Sequence, residues 1–367
     1  MAQAHMFNYQ ALPMRVVMGP GSLARLGGEI DQAAMERVLV LCSPEQQELG
    51  ERVADLLGER AAGVHPHART HVPLESAEAA RDQAKRLGAD GCVAVGGGSA
   101  IGLGKAVALE YGLRIVAVPT TYAGSEMTSV WGLTENGRKR TGRDPRALPV
   151  SVVYDPELTV GLSAAVSATS GMNALAHAVE SLYAPDTSPI VRLMAEEGVR
   201  ALAAALPEVV SDGFDLRARG VAQYGAWLCG ACLGATSMGL HHKLCHVLGG
   251  TLDLPHAPTH TVVLPHALAY NQPAVPEAVT ALSRALGGTA DPARALWELG
   301  RTLGTPRSLA ELGMPEEAIH EIVGLTLADT YPNPRTVTAE NLTHLLRRAW
   351  AGEPPAVLPA AEKESPR

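Results

Sequence analysis

Three short runs constrain this chain more than anything else in it: Arg37–Cys42 (RVLVLC), Gly91–Val95 (GCVAV) and Arg114–Val118 (RIVAV). Each is apolar at every or nearly every position, not at alternate ones. Such a strand is buried on both faces, as in a parallel sheet covered by helices above and below. The stretches between them carry apolar residues at helical spacing, as in Pro44–Leu57 and Leu74–Leu87 (LESAEAARDQAKRL). Strand and helix alternate, which is the pattern of an α/β fold that binds ligands at the carboxyl ends of its strands.

The texture changes at Asp155-Pro156. Strand-like runs vanish and Ala- and Leu-rich segments of helical period take over. Thr187–Leu206 opens with Thr/Ser and then Pro189, a good helix start. The expected division is an α/β nucleotide-binding domain over residues 1–155 and an all-helical domain over 156–351. A Pro-rich polar segment, 352–367 (GEPPAVLPAAEKESPR), follows as an expected disordered tail.

Composition narrows the function classes. Thirty Lys+Arg against 38 Asp+Glu leave a formal charge of −8, which argues against nucleic acid or an anionic membrane as the main partner. No apolar run reaches the ~18 residues of a membrane helix. The first residues lack the basic patch and apolar stretch of a secretory signal. A soluble, mildly acidic, cytoplasmic protein is the expectation. The five cysteines are odd in number, and Cys229-Gly-Ala-Cys232 sits among small apolar residues, so close packing explains this CxxC better than redox or metal chemistry.

Two glycine-bearing loops follow predicted strands. Val95–Lys105 (VGGGSAIGLGK) leaves one strand and opens a helix, where backbone can approach a ligand and free amides can receive phosphate. It fits neither the Walker spacing nor GxGxxG, since Ile101 stands where the last glycine belongs. Val118–Thr128 (VPTTYAGSEMT) follows the next strand and is rich in hydroxyls. Two such loops on one sheet edge point to a phosphate or dinucleotide site.

The second concentration of chemistry is histidine. Six of the 13 fall between positions 241 and 266: His241, His242, His246, His256, His260 and His266. His242 and His246 share a helix face, as do Asn173 and His177 in SGMNALAHAVE. His260 and His266 read as structural.

In order along the chain come GGGS, PTT…GSE, DPxL, a helical AxxHAxE, and HxxxHxLG followed by another His. This series resembles the iron-containing (group III) alcohol dehydrogenase superfamily, from about Met14 to Trp350. The resemblance implies a dehydroquinate synthase-like fold: a Rossmann-like parallel-sheet domain, a C-terminal helical domain, and an active site in the cleft between them. Within the superfamily the chain is most similar to the maleylacetate reductases. The opening FNYQALPMRVVMGPGSL, Gly102 where metal-dependent members usually carry Asp, and HHKLCHVLGG carry that likeness.

The resemblance implies an oxidoreductase that uses NADH or NADPH, acts on a small dicarboxylate, and forms a homodimer. It places Gly96, Gly97, Gly98 and Ser99 on the pyrophosphate, and Thr120, Thr121, Ser125 and Thr128 on the nicotinamide side. Lys139 resembles a family lysine near the cofactor, its alternative being a solvated basic loop with Arg138 and Arg140. Ser43 ends the second strand, where an acid would select NADH; none stands at that point, so either cofactor is compatible. The family's metal site maps onto Asn173, His177, His242 and His256. Asn173 replaces an Asp, a poorer ligand for a divalent cation, so no metal is expected to be required. His177, His242 and His256, with His241 and Lys243, are expected to form a cationic substrate pocket, and His246 to donate a proton or lie against the nicotinamide. The alternative is a metal-dependent alcohol dehydrogenase or aldehyde reductase of the same superfamily, or a related oxidoreductase with another substrate.

Overall fold

The structure is a computed structural model that describes residues 7–135 and 138–357. The expected tail lies largely outside the described residues. Six parallel strands form one sheet in the order β1-β8-β5-β4-β2-β3: β1 (Arg15–Met18), β2 (Val38–Leu41), β3 (Ala61–His65), β4 (Gly91–Gly96), β5 (Arg114–Pro119) and β8 (Ser151–Tyr154). Helices α1 (Leu26–Gln32), α2 (Gln47–Leu57), α3 (Leu74–Leu87) and α4 (Gly98–Tyr111) connect the strands. The predicted apolar runs are β2, β4 and β5, and their alternate residues feed two separate cores. Leu39, Leu41, Cys92, Ala94, Ile115 and Ala117 pack to one side of the sheet. Val38, Val40, Val93, Val95, Val116 and Val118 pack to the other. That double burial is why these strands read as continuous and not alternating.

An antiparallel ribbon, β6 (Val130–Glu135) and β7 (Arg138–Arg143), stands apart from this sheet. The basic ENGRKRTGR stretch therefore lies largely in this ribbon, not in a simple loop.

From Ala164 onward the described residues contain only helices and connections. These are α5 (Ala164–Ser181), α6 (Pro189–Ser211), α7 (Leu216–Ala235), α8 (Leu240–Leu252) and α9 (His256–Asn271), followed by α10 (Pro276–Ala285), α11 (Pro292–Thr302), α12 (Ala318–Ala328) and α13 (Ala339–Ala351). Helix α6 begins as expected, with Ser188 accepting from the Val191 amide and Pro189 in the first turn. Helix α5 is the axis of this part: from Ser167 to Ser181 every residue is buried, which an amphipathic surface helix would not allow.

Cys229 and Cys232 are buried free thiols in α7, against α5 and α6, as a packing role requires. The loop after β5 ties the halves together. Gly124 lies so close to Gly230 of α7 that a Cβ on either would meet the other's backbone within 2.5–2.9 Å. Arg219 of α7, buried without a carboxylate partner among the described residues, donates to the Tyr122 hydroxyl at 3.1 Å and to the carbonyls of Gly213 and Leu162. Among the described residues no helix is long and apolar enough to cross a membrane.

Candidate active site

The histidines predicted from α5, α8 and α9 come together, along with one that was read as structural. His177 stacks on His242 with centroids 5.2 Å apart. His260 packs edge-on against His241 at 4.8 Å and His242 at 5.0 Å, and lies 4.2 Å from His256. His246 stands 6.2 Å from His242. His246 and His256 are exposed, whereas His177, His241, His242 and His260 are buried, so the cluster has a wet side and a dry floor. His260 thus belongs to the cluster, a correction to its structural reading. Its spacing from His256, one helical turn, was the available signal. His266 does not join: it is buried beside Arg348, and burial pushes its pKa down to about 3.

The organising group is Glu180, three residues after His177 on α5. Its carboxylate is buried and accepts from the His242 Nδ1 at 2.7 Å. It also accepts from the backbone N–H groups of Gly239 (3.0 Å), His241 (2.9 Å) and His242 (3.4 Å). Those amides are the unpaired donors of the first turn of α8, so Glu180 caps α8 from another helix and complements the positive end of its dipole. The same bonds assign the His242 proton to Nδ1 and leave Nε2, buried and without a partner among the described residues, as the ring atom available to a ligand. Asn173 Oδ1 and His177 Nδ1, both on α5, are buried and unpartnered in the same way.

Three expectations need correction here. Burial, reinforced by the neighbouring rings, drives the pKa of His177, His242 and His260 well below 6.5, and that of His241 to about 4. The floor is therefore neutral and not cationic. His241 faces His242 (Nδ1 to Nδ1, 3.3 Å) and uses Nε2 on the His260 carbonyl at 3.0 Å, so it supports the cluster from behind. Lys243 carries its ammonium to Asp329 on the surface, at 2.5 Å.

At the sheet edge the two glycine-bearing loops meet. Gly96, Gly97, Gly98 and Ser99 make the turn from β4 into α4. Gly96 has φ +143°, and a Cβ there would strike Gln46 Oε1 at 2.4 Å. Gln46 in turn donates to the Thr120 hydroxyl at 2.8 Å, and the Thr120 amide bonds to the Gly96 carbonyl. The Thr121 methyl covers Gly97, where a Cβ would sit 3.0 Å from it. Ser43, Gln46, Gly97 and Ser99 line a cleft of about 420 Å³ at this edge, together with Glu45, an acid two residues beyond the strand-end serine.

The Thr128 hydroxyl is tied to a buried lysine, whereas the Ser125 hydroxyl has no partner among the described residues. Lys105, the lysine that closes the glycine-loop motif, is buried and donates to the carbonyls of Ser125 (2.6 Å), Thr128 (2.8 Å) and Val130 (2.7 Å), and to Thr128 Oγ1 (3.0 Å). The Thr128 hydroxyl is thereby committed to partners within the protein. Burial pulls Lys105 down to about 7, while nearby Glu126 raises it. The four-oxygen cradle fits the ammonium form. Glu126 is buried too and accepts from the Tyr154 hydroxyl at 2.7 Å. A single lysine in a helix apolar on all sides (GSAIGLGKAVALEY) was the signal for this network. Lys139 pairs with Thr134 in the β6–β7 ribbon, and its side chain lies outside the described residues.

A parallel sheet carrying a glycine-loop ligand cleft, followed by helices that converge on a histidine cluster, defines a class. The sequence profile of iron-containing alcohol dehydrogenases matches residues 13–156, and the profile for the C-terminal part of the Fe-containing alcohol dehydrogenase family matches residues 167–350. The chain belongs to the iron-containing alcohol dehydrogenase family. Within it, similarity concentrates on one activity. A maleylacetate reductase from Burkholderia cepacia is 55% identical over 350 residues, spanning 95% of this chain and 99% of that protein. The crystal structure of maleylacetate reductase from Agrobacterium tumefaciens superposes with a TM-score of 0.93 at 47% identity, over 96% of this chain and all (100%) of that one. The enzyme from Rhizobium sp. strain MTP-10005 gives 0.92 at 47% identity, over 96% and 100%. The chain falls among the maleylacetate reductases of its family.

Proposed function

We propose that this protein reduces the carbon–carbon double bond of maleylacetate to give 3-oxoadipate, taking hydride from NADH or NADPH. It is an NAD(P)H-dependent oxidoreductase acting on a small substrate, and the identity it shares with maleylacetate reductases along nearly its whole length carries the choice of substrate.

The substrate is a dianion with a ketone conjugated to the alkene. Hydride adds to the alkene carbon β to the ketone, the ketone oxygen becomes an enolate, and the α-carbon then takes a proton. The protein must stabilise that oxygen and hold two carboxylates. In our reading the neutral floor does the first by hydrogen bonding. The Asn173 amide N–H and the His177 ring, when its proton is on Nδ1, are the groups that can donate to a substrate oxygen, whereas Asn173 Oδ1 and, in the tautomer Glu180 imposes, His242 Nε2 offer acceptors only. His246 and His256, on the wet side, are the groups from which a proton could pass to the α-carbon. Glu180 holds His242 in one tautomer throughout.

The family name implies iron, and the donor set bears on it. Asn173, His177, His242 and His256 offer one amide oxygen and three imidazoles, with no anionic ligand to offset a ferrous charge. Ferrous sites characteristically include a carboxylate. Glu180, the acid bonded to this cluster, has both oxygens committed to α8. We infer that this set would hold Fe²⁺ only weakly, although three histidines remain. Conjugate reduction spreads the developing charge over an enolate and needs less Lewis acidity than direct carbonyl reduction, so we infer a reaction independent of metal.

A homodimer in the cytoplasm is part of the same reading. The base rate for soluble enzymes and five free, buried cysteines support it.

Absorbance at 340 nm, followed with maleylacetate and each cofactor with and without EDTA, tests these statements. Rapid oxidation indifferent to EDTA is expected. Loss of activity with EDTA would overturn the metal-free inference. Absence of oxidation, in protein that binds cofactor, would overturn the substrate.

A further inference from the structure

The cleft of about 420 Å³ at the sheet edge has a polarity of its own. In the sheet, β2 lies between β3 and β4, so the chain runs from β2 to one side and returns to the other. That reversal opens a crevice at the carboxyl ends of β2 and β4, the place where a dinucleotide lies across an open α/β sheet. Gly97 and Ser99, at the start of α4, form the wall suited to the pyrophosphate. The opposite wall is built from Ser43 and Glu45 after β2 and from Arg69 after β3. With the pyrophosphate on α4, the adenosine ribose falls on that wall, and its 2′ position is the point at which NADH and NADPH differ.

The wall presents both signs of charge. Glu45 is exposed, and the Ser43 hydroxyl bonded to it holds its carboxyl below the usual range, so it is an anionic acceptor at neutral pH. Arg69 is exposed, and its guanidinium makes no ion pair among the described residues. A carboxylate there suits a ribose 2′-hydroxyl and repels a phosphate, and a free guanidinium does the reverse. We propose that Glu45 and Arg69 set the cofactor preference of this enzyme, Glu45 by accepting the 2′-hydroxyl of NADH and Arg69 by pairing with the 2′-phosphate of NADPH. This rests on the enzyme's use of NAD(P)H and not on the identity of its second substrate.

The test is direct binding. The full-length protein and its variants are titrated with NADH and with NADPH, and nicotinamide fluorescence is followed without maleylacetate. Arg69→Ala should raise Kd for NADPH about tenfold and leave NADH within about twofold, the loss of one charge-assisted contact. Glu45→Gln should move the preference the other way, weakening NADH severalfold while NADPH is unchanged or tighter. Both side chains are exposed, so neither change removes packing. Equal losses for both cofactors in Arg69→Ala, no loss in either, or an unchanged NADH/NADPH ratio in Glu45→Gln would each overturn the assignment. Because no turnover enters the readout, failure of the maleylacetate reading would leave this result standing, and the converse also holds.

Discussion

Replacing Glu180 by Gln tests whether one buried carboxylate both caps a helix and sets the tautomer of a reacting histidine. The side chains are nearly isosteric, so cavity terms are small and hydrogen bonding decides the outcome. Glu180 accepts four hydrogen bonds: His242 Nδ1 at 2.7 Å and backbone amides at 2.9, 3.0 and 3.4 Å. A glutamine has one carbonyl oxygen to offer, and its NH₂ must face donors on the other side. Two good bonds to a charged acceptor are therefore lost, at about 1.5–3 kcal/mol each, or about 3–6 kcal/mol in all. For a chain of this length that corresponds to a melting point lower by roughly 4–8 °C. The kinetic effect is separate. With its acceptor gone, His242 can carry its proton on either nitrogen, and catalysis that needs one form should fall about 100-fold in kcat. Cofactor affinity should not change, because the glycine loops are untouched. The assay is NADH oxidation at 340 nm, run well below the variant's melting point, alongside thermal unfolding and a cofactor titration. A variant that melts lower but retains kcat within twofold would refute the tautomer argument and leave Glu180 only as a helix cap.

Other perturbations follow from the same geometry. Lys105→Met strands three backbone carbonyls and the Thr128 hydroxyl; after allowing for the buried charge it removes, we expect a loss of about 2–4 kcal/mol in urea unfolding, and wild-type stability would contradict the cradle. Lys105→Arg should not restore the loss, because a planar fork cannot converge on oxygens grouped around one point. Gly96→Ala puts a Cβ at φ +143° and against Gln46; it should cost about 1–3 kcal/mol and weaken NADH binding, and an unaltered Kd would separate this turn from the cofactor. For His266 the folded pKa of about 3 lies below the unfolded value near 6.5, so its contribution to stability is full above 6.5 and is lost progressively as pH falls toward 3. His266→Met should make the acid limb of the stability curve shallower by as much as ~1.4 kcal/mol per pH unit, read from denaturant unfolding between about pH 4.5 and 7; an unchanged slope would show that His266 does not titrate with unfolding.

What could be read from the sequence, and what could not, divides along a physical line. Strands β2, β4 and β5 were legible because burial on both faces removes polar residues from them altogether, and no other soluble arrangement produces that pattern so briefly and repeatedly. Asn173 with His177, and His242 with His246, were legible because each pair is local, one helical turn apart. The β6–β7 ribbon escaped because the β7 sequence RKRTGR reads as a solvated basic loop and the six residues of β6, all half-buried, do not stand out as a core strand. Glu180, Lys105 and Glu126 escaped for a different reason. Acids and lysines are read as solvent-facing by default, and each of these is buried only because an element distant in sequence delivers its partners: α8 brings backbone amides to Glu180, and the Ser125–Val130 segment brings carbonyls to Lys105. The charge state of the histidine floor escaped on the same grounds. Six histidines counted along a chain suggest positive charge. Three of them, packed with His177 in a buried cluster, are held neutral, because burial penalises each cation and every neighbouring ring would add repulsion to it. The reading of the site changes accordingly, from a cationic trap for a dianion to a set of aligned neutral donors and acceptors that one buried carboxylate holds in register. Such a site selects by fit and hydrogen-bond direction, so substrate charge has to be met nearer the solvent, on the side where His246 and His256 stand.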